Sequence, residues 1–502
     1  MRTRPAIVYA TTAAATLAVA FLLHVPSLYE PRWYGDEGIF AAVAYNVRHG
    51  ATLYSGAWDN KPPLIFFTYA ALQSAFGTGI FPLHLAAAAV VMATQVVVMA
   101  IGFLLFGARR SLLAGLLFAF AMGTPLVEGN LAMTETFMML PASLAVLAYV
   151  LAERRDADRR APWYVATGAL IGVAAGYKQV AVFDGTAIAL MIWIMHDRPL
   201  RSLAWVAAGF ALPQLAFALY FLATGAFGAY WYAIAGSLGV YARLGPAQSP
   251  FTRFAGFLPA LLAVAWLVRR RQLGRPVRVS MFPMLWLGFA VAGATSSSFA
   301  FPHYLQQAMP ALALVLVADP LGQEAEDVGK IALAVGGVLV VAVVFGQFAF
   351  AYEQRTQLEP VDYYRTFVQH QYGTMSDADY IEHFDGSVFT VHDIAADIRR
   401  DGADTTLFTW SELPWLYSDA GVTNPTRYYT SFLGDVIPGA KAEILRDLEA
   451  RPPAYIVMSE QAYAPFDELE AFVAARYTLI DARNDWRLYR SSTANGQLHY
   501  AP

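Results

Sequence analysis

The chain of 502 residues contains no cysteine and few charged residues, and these two deficits exclude several classes of protein. Without cysteine it has no disulfides, no thiolate nucleophile and no sulfur ligand for a metal. Charged residues make up 14%, against roughly 25% in soluble domains. Apolar and aromatic residues make up 57%, and the mean hydropathy is +0.43. A soluble globular enzyme and a disordered chain are therefore both disfavoured.

The sequence also lacks a glycine-rich phosphate loop, an internal repeat and a low-complexity run. A nucleotide cofactor is therefore not expected, since its phosphates usually need such a loop. A transporter or flippase is disfavoured as well, because many transporters are built from inverted repeats with ionisable residues near the membrane midplane.

The apolar residues are concentrated in long, charge-poor stretches that we interpret as about eleven transmembrane helices. Only one of these stretches contains a charge, that of Asp184. The predicted spans are 7–25, 81–106, 111–127, 136–152, 161–177, 179–195, 202–223, 254–268, 279–295, 304–318 and 331–350.

Positive residues determine the predicted orientation of these spans. If the N-terminus is cytoplasmic, the inner segments hold 16 Lys and Arg and the outer loops hold 6, as the positive-inside rule requires. Residues 1–350 carry 22 basic and 15 acidic side chains, whereas residues 351–502 carry 12 and 23. We therefore expect a multi-pass protein of the bacterial inner membrane with an external, acidic C-terminal part and no nucleic-acid partner.

The first outer loop, about 26–80, is long enough to have its own structure and function. Residues 62–77 are apolar but too short to span, and a span there would place the basic clusters outside, so we predict a helix at the outer interface. Residues 36–49 predict a second helix, with Ile39, Phe40, Val43 and Val47 on one face. Asp36 is a candidate cap for that helix.

The sequence after about residue 350 changes character and predicts a small soluble α/β domain, 351–502. Strands are predicted at 406–410, 454–458, 477–481 and 486–489, and helices at 438–450 and 467–476. The aromatic residues Trp410, Trp415, Tyr428 and Tyr429 could stack on sugar rings, but we favour the interpretation that they form a core.

Ionisable residues next to a membrane usually have a function, and in this sequence they are densest in the first outer loop. The adjacent carboxylates of Asp36 and Glu37 could act as a general base or hold a cation. Lys61, which precedes Pro62-Pro63-Leu64, could bind a phosphate as a point charge, or it could extend towards lipid headgroups. Asp59 is a candidate metal ligand. Alternatively, it could orient the side chains that contact the substrate.

These motifs together resemble the polyprenyl-phosphate-sugar glycosyltransferases of the GT-C superfamily. The resemblance is to the protein O-mannosyltransferase-like branch, glycosyltransferase family 39, and to the lipid A aminoarabinose transferases. It is carried by Asp36-Glu37 and by Lys61-Pro62-Pro63-Leu64. Three further motifs contribute at outer helix ends: Met133-Thr134-Glu135-Thr136, Gly176-Tyr177-Lys178 and Phe301-Pro302-His303-Tyr304.

The resemblance implies roles for individual residues. Asp36 corresponds to the catalytic aspartate that activates the acceptor hydroxyl, Glu37 to its acidic neighbour, and Glu135 to a second acidic catalytic position. Lys61 and Tyr304 correspond to residues at the donor's lipid phosphate. Aminoarabinose transferases have a metal-binding Glu before Lys-Pro-Pro where this chain has Asn60, so the involvement of a divalent metal and the identity of the sugar are both left open.

Three of these residues have alternative interpretations. Glu135 could simply be a favourable charge at a helix N-terminus. Lys178 could add a second charge at the phosphate or could pair with Asp184. His303 could be a metal ligand or a proton shuttle, although a structural role is somewhat favoured.

The resemblance predicts a membrane glycosyltransferase of inverting mechanism. It would transfer a hexose or pentose from a polyprenyl phosphate to an extracytoplasmic glycolipid, polysaccharide or protein. An oligosaccharide ligase and a lipid-linked sugar flippase are the alternatives.

Overall fold

The computed structural model describes residues 3–241, 243, 250–297, 299–318, 337–338, 342, 346, 359–400, 405–483 and 485–492. Up to residue 318 this part of the chain is mainly helical. Its α-helices are α1 Thr3–His24, α2 Gly35–Arg48, α3 Leu64–Phe76, α4 Ile80–Phe106, α5 Ala108–Gly123, α6 Thr134–Glu153, α7 Ala161–Tyr177, α8 Val182–Met195, α9 Pro199–Ala223, α10 Phe227–Trp231, α11 Leu238–Tyr241, α12 Pro250–Gln272, α13 Phe282–Thr295 and α14 Met309–Val317.

Ten of the predicted spans coincide with helices, namely α1, α4 to α9 and α12 to α14. The predicted span 331–350 lies outside the described residues except for 337–338, 342 and 346. Within the described residues, four segments are long and apolar enough to cross a membrane unaided: Ala6–Tyr29, Ile80–Phe106, Thr134–Glu153 and Pro199–Ala223. The helical membrane architecture is confirmed, and the total of eleven spans stays a prediction.

Contacts divide the chain into two compact units. The first, which we call the helical unit, comprises Met1–Tyr29, His84–Ala218 and Ala242–Arg365. The second, the mixed unit, comprises Glu30–Leu83, Leu219–Tyr241 and Thr366–Pro502. The predicted first outer loop therefore folds with most of the predicted C-terminal domain.

Small residues let helices of the helical unit approach closely. A Cβ atom on Gly168 of α7 would collide with the backbone oxygen of Val206, and one on Gly209 of α9 with that of Val165. Such contacts are a common basis of helix association in membranes, where the hydrophobic effect does not favour one apolar neighbour over another. Trp286 of α13 and Tyr149 of α6 are buried in the same unit.

The two helices predicted in the first loop are present as α2 and α3, and they pack against each other in the mixed unit. The ring of Phe40 meets Phe66 at 6.0 Å and Tyr69 at 5.7 Å, both edge-on. The predicted capping role of Asp36 is wrong. The cap position is Tyr34, and Asp36 lies inside the first turn, where its charge still suits the helix dipole.

The C-terminal part contains a four-stranded sheet surrounded by helices, and its alternating α/β pattern is confirmed. Strands β1 Leu407–Trp410, β2 Tyr455–Ser459, β3 Tyr477–Arg483 and β4 Trp486–Ser491 are ordered β1-β2-β4-β3, with β1 parallel to β2 and the other pairs antiparallel. The helices are α15 Pro360–Gln371, α16 Asp377–Phe384, α17 Ser387–Arg399, α18 Trp415–Ala420, α19 Ser431–Val436, α20 Ala440–Ala450 and α21 Asp467–Arg476.

Hydrogen bonds fasten the first loop to the C-terminal residues of the mixed unit. The indole of Trp415 donates to the backbone oxygen of Tyr34 at 2.9 Å, and the amide of Asn424 donates to the side chain of Asn46 at 3.0 Å. Gly38 is required at the crossing, because a Cβ there would lie 2.9 Å from Trp415. The first turn of α2 is therefore held against α18.

The aromatic residues considered for sugar stacking are core residues, as favoured above. Trp410, Trp415, Tyr428 and Tyr429 are each at most 3% exposed. Their burial stabilises the mixed unit and leaves no ring face for a ligand.

Candidate active site

The predicted site residues form two clusters, one in each unit. The first-loop cluster consists of Asp36, Glu37, Asp59 and Lys61 in the mixed unit. The helical-unit cluster consists of Glu135, Lys178, His303 and Tyr304, to which the structure adds Glu128.

In the first-loop cluster, Lys61 forms an ion pair with Asp59. The Lys61 Nζ lies 3.5 Å from Asp59 Oδ2 and 5.6 Å from the centre of the Phe40 ring. Asp59 is fully buried, and its Oδ1 accepts the backbone N–H of Asn60 at 2.7 Å. The Lys61 ammonium therefore lies near both the Asp59 carboxylate and the Phe40 ring.

The electrostatics of this cluster depend on burial and on neighbouring charges. Burial raises the pKa of Asp59, the nearby Lys61 ammonium lowers it, and the Asp36 carboxylate raises it again. The last effect requires Asp36 to be close to Asp59, so two acidic groups and one lysine share this region. Asp36 is half-buried, whereas Glu37 is only 1% exposed.

The C-terminal residues contribute a further carboxylate, that of Glu412, to the surroundings of Tyr241, and sequence reasoning missed it. Burial raises the pKa of Tyr241, and the charges of Asp59, Asp36 and Glu412 raise it further. Glu412 accepts hydrogen bonds from the Ser431 hydroxyl at 2.5 Å and from the backbone N–H of Phe432 at 2.7 Å. No local motif marked Glu412, because its proximity arises only from the tertiary fold.

In the helical-unit cluster, Lys178 and Glu135 form a buried ion pair. The Lys178 Nζ also lies 3.9 Å from the centre of the Tyr304 ring, and Glu135 accepts the Thr134 hydroxyl at 2.5 Å. The alternative pairing of Lys178 with Asp184 is wrong. Asp184 accepts instead from the Trp286 indole at 2.8 Å and from Gln307 at 3.0 Å.

His303 lies between two glutamates in the same cluster. Its Nδ1 is 2.5 Å from Glu128 Oε2, and its Nε2 is 3.9 Å from Glu135 Oε1. Sequence reasoning missed Glu128. The available signal was a charged residue immediately after the apolar stretch 111–127.

Buried glutamines hold the turn that carries His303 and Tyr304. This 3₁₀ segment, Pro302–Ala308, contains Gln306, whose amide donates to the backbone oxygens of Val127 at 3.0 Å and Glu128 at 2.9 Å. The Thr136 hydroxyl donates to the Gln306 carbonyl at 2.9 Å. These bonds tie the turn to the start of α6, where Glu135 lies.

Each cluster is also next to a strained backbone position. Among the described residues, Tyr54 (φ 70°) and Glu128 (φ 51°) are the non-glycine residues with positive φ. The Tyr54 hydroxyl donates to the backbone oxygen of Lys61 at 2.8 Å. Strain of this kind is concentrated at functional sites, so both positions support a function for the adjacent side chains.

The described residues contain no group of three or more His, Asp or Glu side chains arranged to hold a metal ion. Asn60, which precedes Lys61, offers an amide oxygen and not a carboxylate. The involvement of a divalent metal therefore stays a prediction.

The long apolar helices and the small sheet define a mainly helical membrane protein. Over 95% of this chain and 97% of the other, the structure is similar to ArnT from Cupriavidus metallidurans bound to undecaprenyl phosphate, with a TM-score of 0.61 and 16% identity. The apo state of ArnT gives the same values. The Archaeoglobus fulgidus oligosaccharyltransferase tethered with an acceptor peptide has a TM-score of 0.50 and 13% identity, covering 98% of this chain and 75% of that one.

Residues 60–238 match the family model described as dolichyl-phosphate-mannose-protein mannosyltransferase. This range includes Lys61, Glu135 and Lys178. None of the curated proteins compared with the sequence matches it. The family model confirms the resemblance over this range, and over nearly the whole chain the fold is similar to that of ArnT.

Proposed function

We propose that the protein is a membrane glycosyltransferase that transfers a sugar from a polyprenyl phosphate to an acceptor hydroxyl. The observation that carries this proposal is the first-loop cluster, in which a lysine held by a buried aspartate lies near the carboxylate of Asp36. The family-model match supports it, because the match begins one residue before Lys61. The binding of undecaprenyl phosphate by ArnT supports the class of donor.

Lys61 is proposed to bind the donor phosphate. Its ammonium has three N–H donors, and the 3.5 Å separation from Asp59 exceeds the roughly 2.7–2.9 Å of a tight charge-assisted bond. The ammonium can therefore remain near Asp59 and also contact a phosphate oxygen. Pro62 and Pro63 restrict the backbone after the lysine, which helps to fix its direction.

Asp36 is proposed as the general base. It is the more accessible member of the Asp36-Glu37 pair, and a base must reach the acceptor hydroxyl to within hydrogen-bond distance. Glu37 is almost fully buried, so we propose that it orients groups within the mixed unit rather than touching the acceptor.

In the proposed reaction, the acceptor oxygen forms a bond to the anomeric carbon, and the bond between that carbon and the phosphate oxygen breaks. The bonding electrons leave with the polyprenyl phosphate, whose charge Lys61 stabilises. The acceptor proton passes to Asp36. Attack opposite the leaving phosphate inverts the anomeric configuration, and no nucleotide takes part.

Within the helical unit, a second cation is proposed to bind phosphate, as the family resemblance implies. Lys178 would be the cation, with its ammonium positioned by Glu135 and by the Tyr304 ring. This role makes Glu135 a positioning residue, since Lys178 and Thr134 already occupy its oxygens. Tyr304 would donate a hydrogen bond through its hydroxyl.

The proposed setting is a bacterial inner membrane with the first loop and the C-terminal domain outside. The distribution of basic residues supports this orientation. The acceptor would then be an extracytoplasmic glycolipid, polysaccharide or protein, and the donor sugar a hexose or pentose.

The proposal is tested with synthetic polyprenyl-phosphate mannose and polyprenyl-phosphate aminoarabinose in detergent. Mass spectrometry should detect free polyprenyl phosphate and a glycosylated acceptor, and Asp36→Asn should abolish both. The proposal would be refuted in favour of a flippase if the donor stayed intact in every reaction and moved from one leaflet of a liposome membrane to the other. Mass spectrometry of copurified lipid identifies the carrier.

A further inference from the structure

A pocket of about 990 Å³ lies in the helical unit where α8 and α12 end and α9 begins. It uses none of the residues of the two clusters described above. Its wall combines the arginines 198, 201 and 271 with apolar side chains, among them Trp193, Leu200 and Val268. A cavity of this size is in the range that holds a small ligand or a lipid headgroup.

One of the arginines shapes the pocket. The guanidinium of Arg271, on α12, donates to the backbone oxygens of Ile194 and His196 and forms an ion pair with Asp197 at 2.9 Å. These bonds join the end of α12 to the connection between α8 and α9. Arg271 therefore fixes the wall, and Asp197 offsets most of its charge.

Among the described residues, no acidic side chain pairs with the other two arginines. These two, Arg198 and Arg201, are both exposed. Arg198 immediately precedes α9 and Arg201 lies in its first turn, and both line the pocket. An anion is the ligand that matches this part of the wall.

The apolar part of the wall is unusually accessible. Leu200 is 71% exposed and Trp193 is 54% exposed. Leu200 lies at the start of α9, a helix long and apolar enough to cross a membrane, and Trp193 lies near the end of α8. A soluble phosphate would gain nothing from these side chains, whereas acyl chains would cover them and a tryptophan suits the membrane interface.

We propose that this pocket binds the phosphate headgroup of an anionic membrane lipid, with Arg198 and Arg201 at the phosphate and Trp193 and Leu200 against the acyl chains. Basic pockets between transmembrane helices recognise such lipids by charge. The inference is independent of the proposed glycosyltransferase function, because it concerns different residues and would hold for any activity.

The test is native mass spectrometry of the whole purified chain in detergent, titrated with phosphatidylglycerol or phosphatidylcholine. We expect one phosphatidylglycerol to bind in preference to phosphatidylcholine. An arginine near an anionic headgroup contributes about 1 kcal/mol, or roughly fivefold in affinity. The double variant Arg198→Gln/Arg201→Gln should therefore bind phosphatidylglycerol roughly thirtyfold more weakly, and Arg198→Lys/Arg201→Lys should retain most of the affinity.

Arg109→Gln/Arg159→Gln is the matched control, since it removes two exposed arginines from elsewhere in the helical unit. The control should change affinity less than about threefold. Equal losses of affinity in both double variants would overturn the proposal. They would indicate that anionic lipid is attracted by the overall positive charge of this part of the protein and not by the pocket. Displacement of the lipid by millimolar glycerol phosphate would also overturn it, because it would indicate a site for a soluble phosphate. Trp193→Ala should weaken lipid binding, and an unchanged affinity would contradict the assignment of the acyl chains.

Discussion

Replacing Lys61 by alanine should weaken the use of donor more than it changes the stability of the protein. The side chain is 18% exposed, and its partner Asp59 is buried. At this partly buried position salt screens the charge only weakly. A charge-assisted hydrogen bond to a phosphate contributes about 1.5–3 kcal/mol, which corresponds to roughly tenfold to a hundredfold in donor affinity.

The assay is transfer measured over a range of donor concentrations in one detergent. We expect Lys61→Ala to raise the apparent KM for donor by that factor. Turnover should fall as well if the contact strengthens when the phosphate leaves. Lys61→Arg should restore only part of the activity, because the planar guanidinium cannot occupy the same position between Asp59 and the Phe40 ring.

Lys441→Ala is a suitable control, since Lys441 also forms an ion pair, with Asp435 at 2.7 Å, and is also in the mixed unit. It should leave the KM unchanged. Asp59→Asn keeps the ammonium but removes its partner, so it separates the effect of the lysine charge from that of its positioning. If Lys61→Ala uses donor within about twofold of the parent while remaining folded, the phosphate must be held elsewhere.

Four further results are expected. Asp36→Asn should lower turnover by about 10²–10⁴-fold with donor binding intact, and near-normal turnover would leave Asp36 as a helix charge only. Glu128→Gln should lower turnover, because a neutral amide is a weaker hydrogen-bond partner for His303, 2.5 Å away, than a carboxylate; unchanged turnover would contradict a role for this contact. Burial raises the pKa of Asp59 in the folded protein, so folding favours the protonated carboxyl. The stability that Asp59 contributes is therefore fully present below the ordinary Asp pKa and is lost as the pH rises through the pKa of the folded protein. The Tm of the parent minus that of Asp59→Asn should therefore fall as the pH rises above about 4, and a constant difference would refute the shift. EDTA should change transfer less than about twofold, since no carboxylate stands at Asn60 for a hard divalent cation; reversible loss of activity would establish a metal requirement.

Much of the fold could be predicted because membrane helices are specified locally. A run of apolar residues must form its own backbone hydrogen bonds in lipid, so the limits of α4 and α6 follow almost directly from hydropathy. Strands of the C-terminal sheet were also predictable, since β2 is an apolar run of ordinary strand length and β4 places Trp486 and Leu488 at alternate positions. The Asp36 cap was wrong by two residues, because helix ends depend on backbone geometry that residue type does not fix.

The site was less predictable than the fold. Lys61 and Asp59 are two residues apart, and their pairing could be suspected from the sequence. Lys178 could reach two carboxylates, one nearby in sequence and one 43 residues away, and the distant one is its partner. Glu128 and Glu412 belong to no motif, so nothing in the sequence indicated that they lie beside His303 and near Tyr241.

The sequence by itself thus determined the membrane class, the helical elements and the residues of the first loop that carry the family resemblance. These features depend on composition and on short spacings, which are properties of each segment by itself and do not depend on its neighbours in the fold. Only the tertiary structure decided that the first loop folds with the C-terminal residues, that Lys178 pairs with Glu135 and not with Asp184, and that Glu128 faces His303. The physical reason is that burying an ionisable group requires a partner, and its partner is chosen among all residues that packing brings together, whatever their distance along the chain.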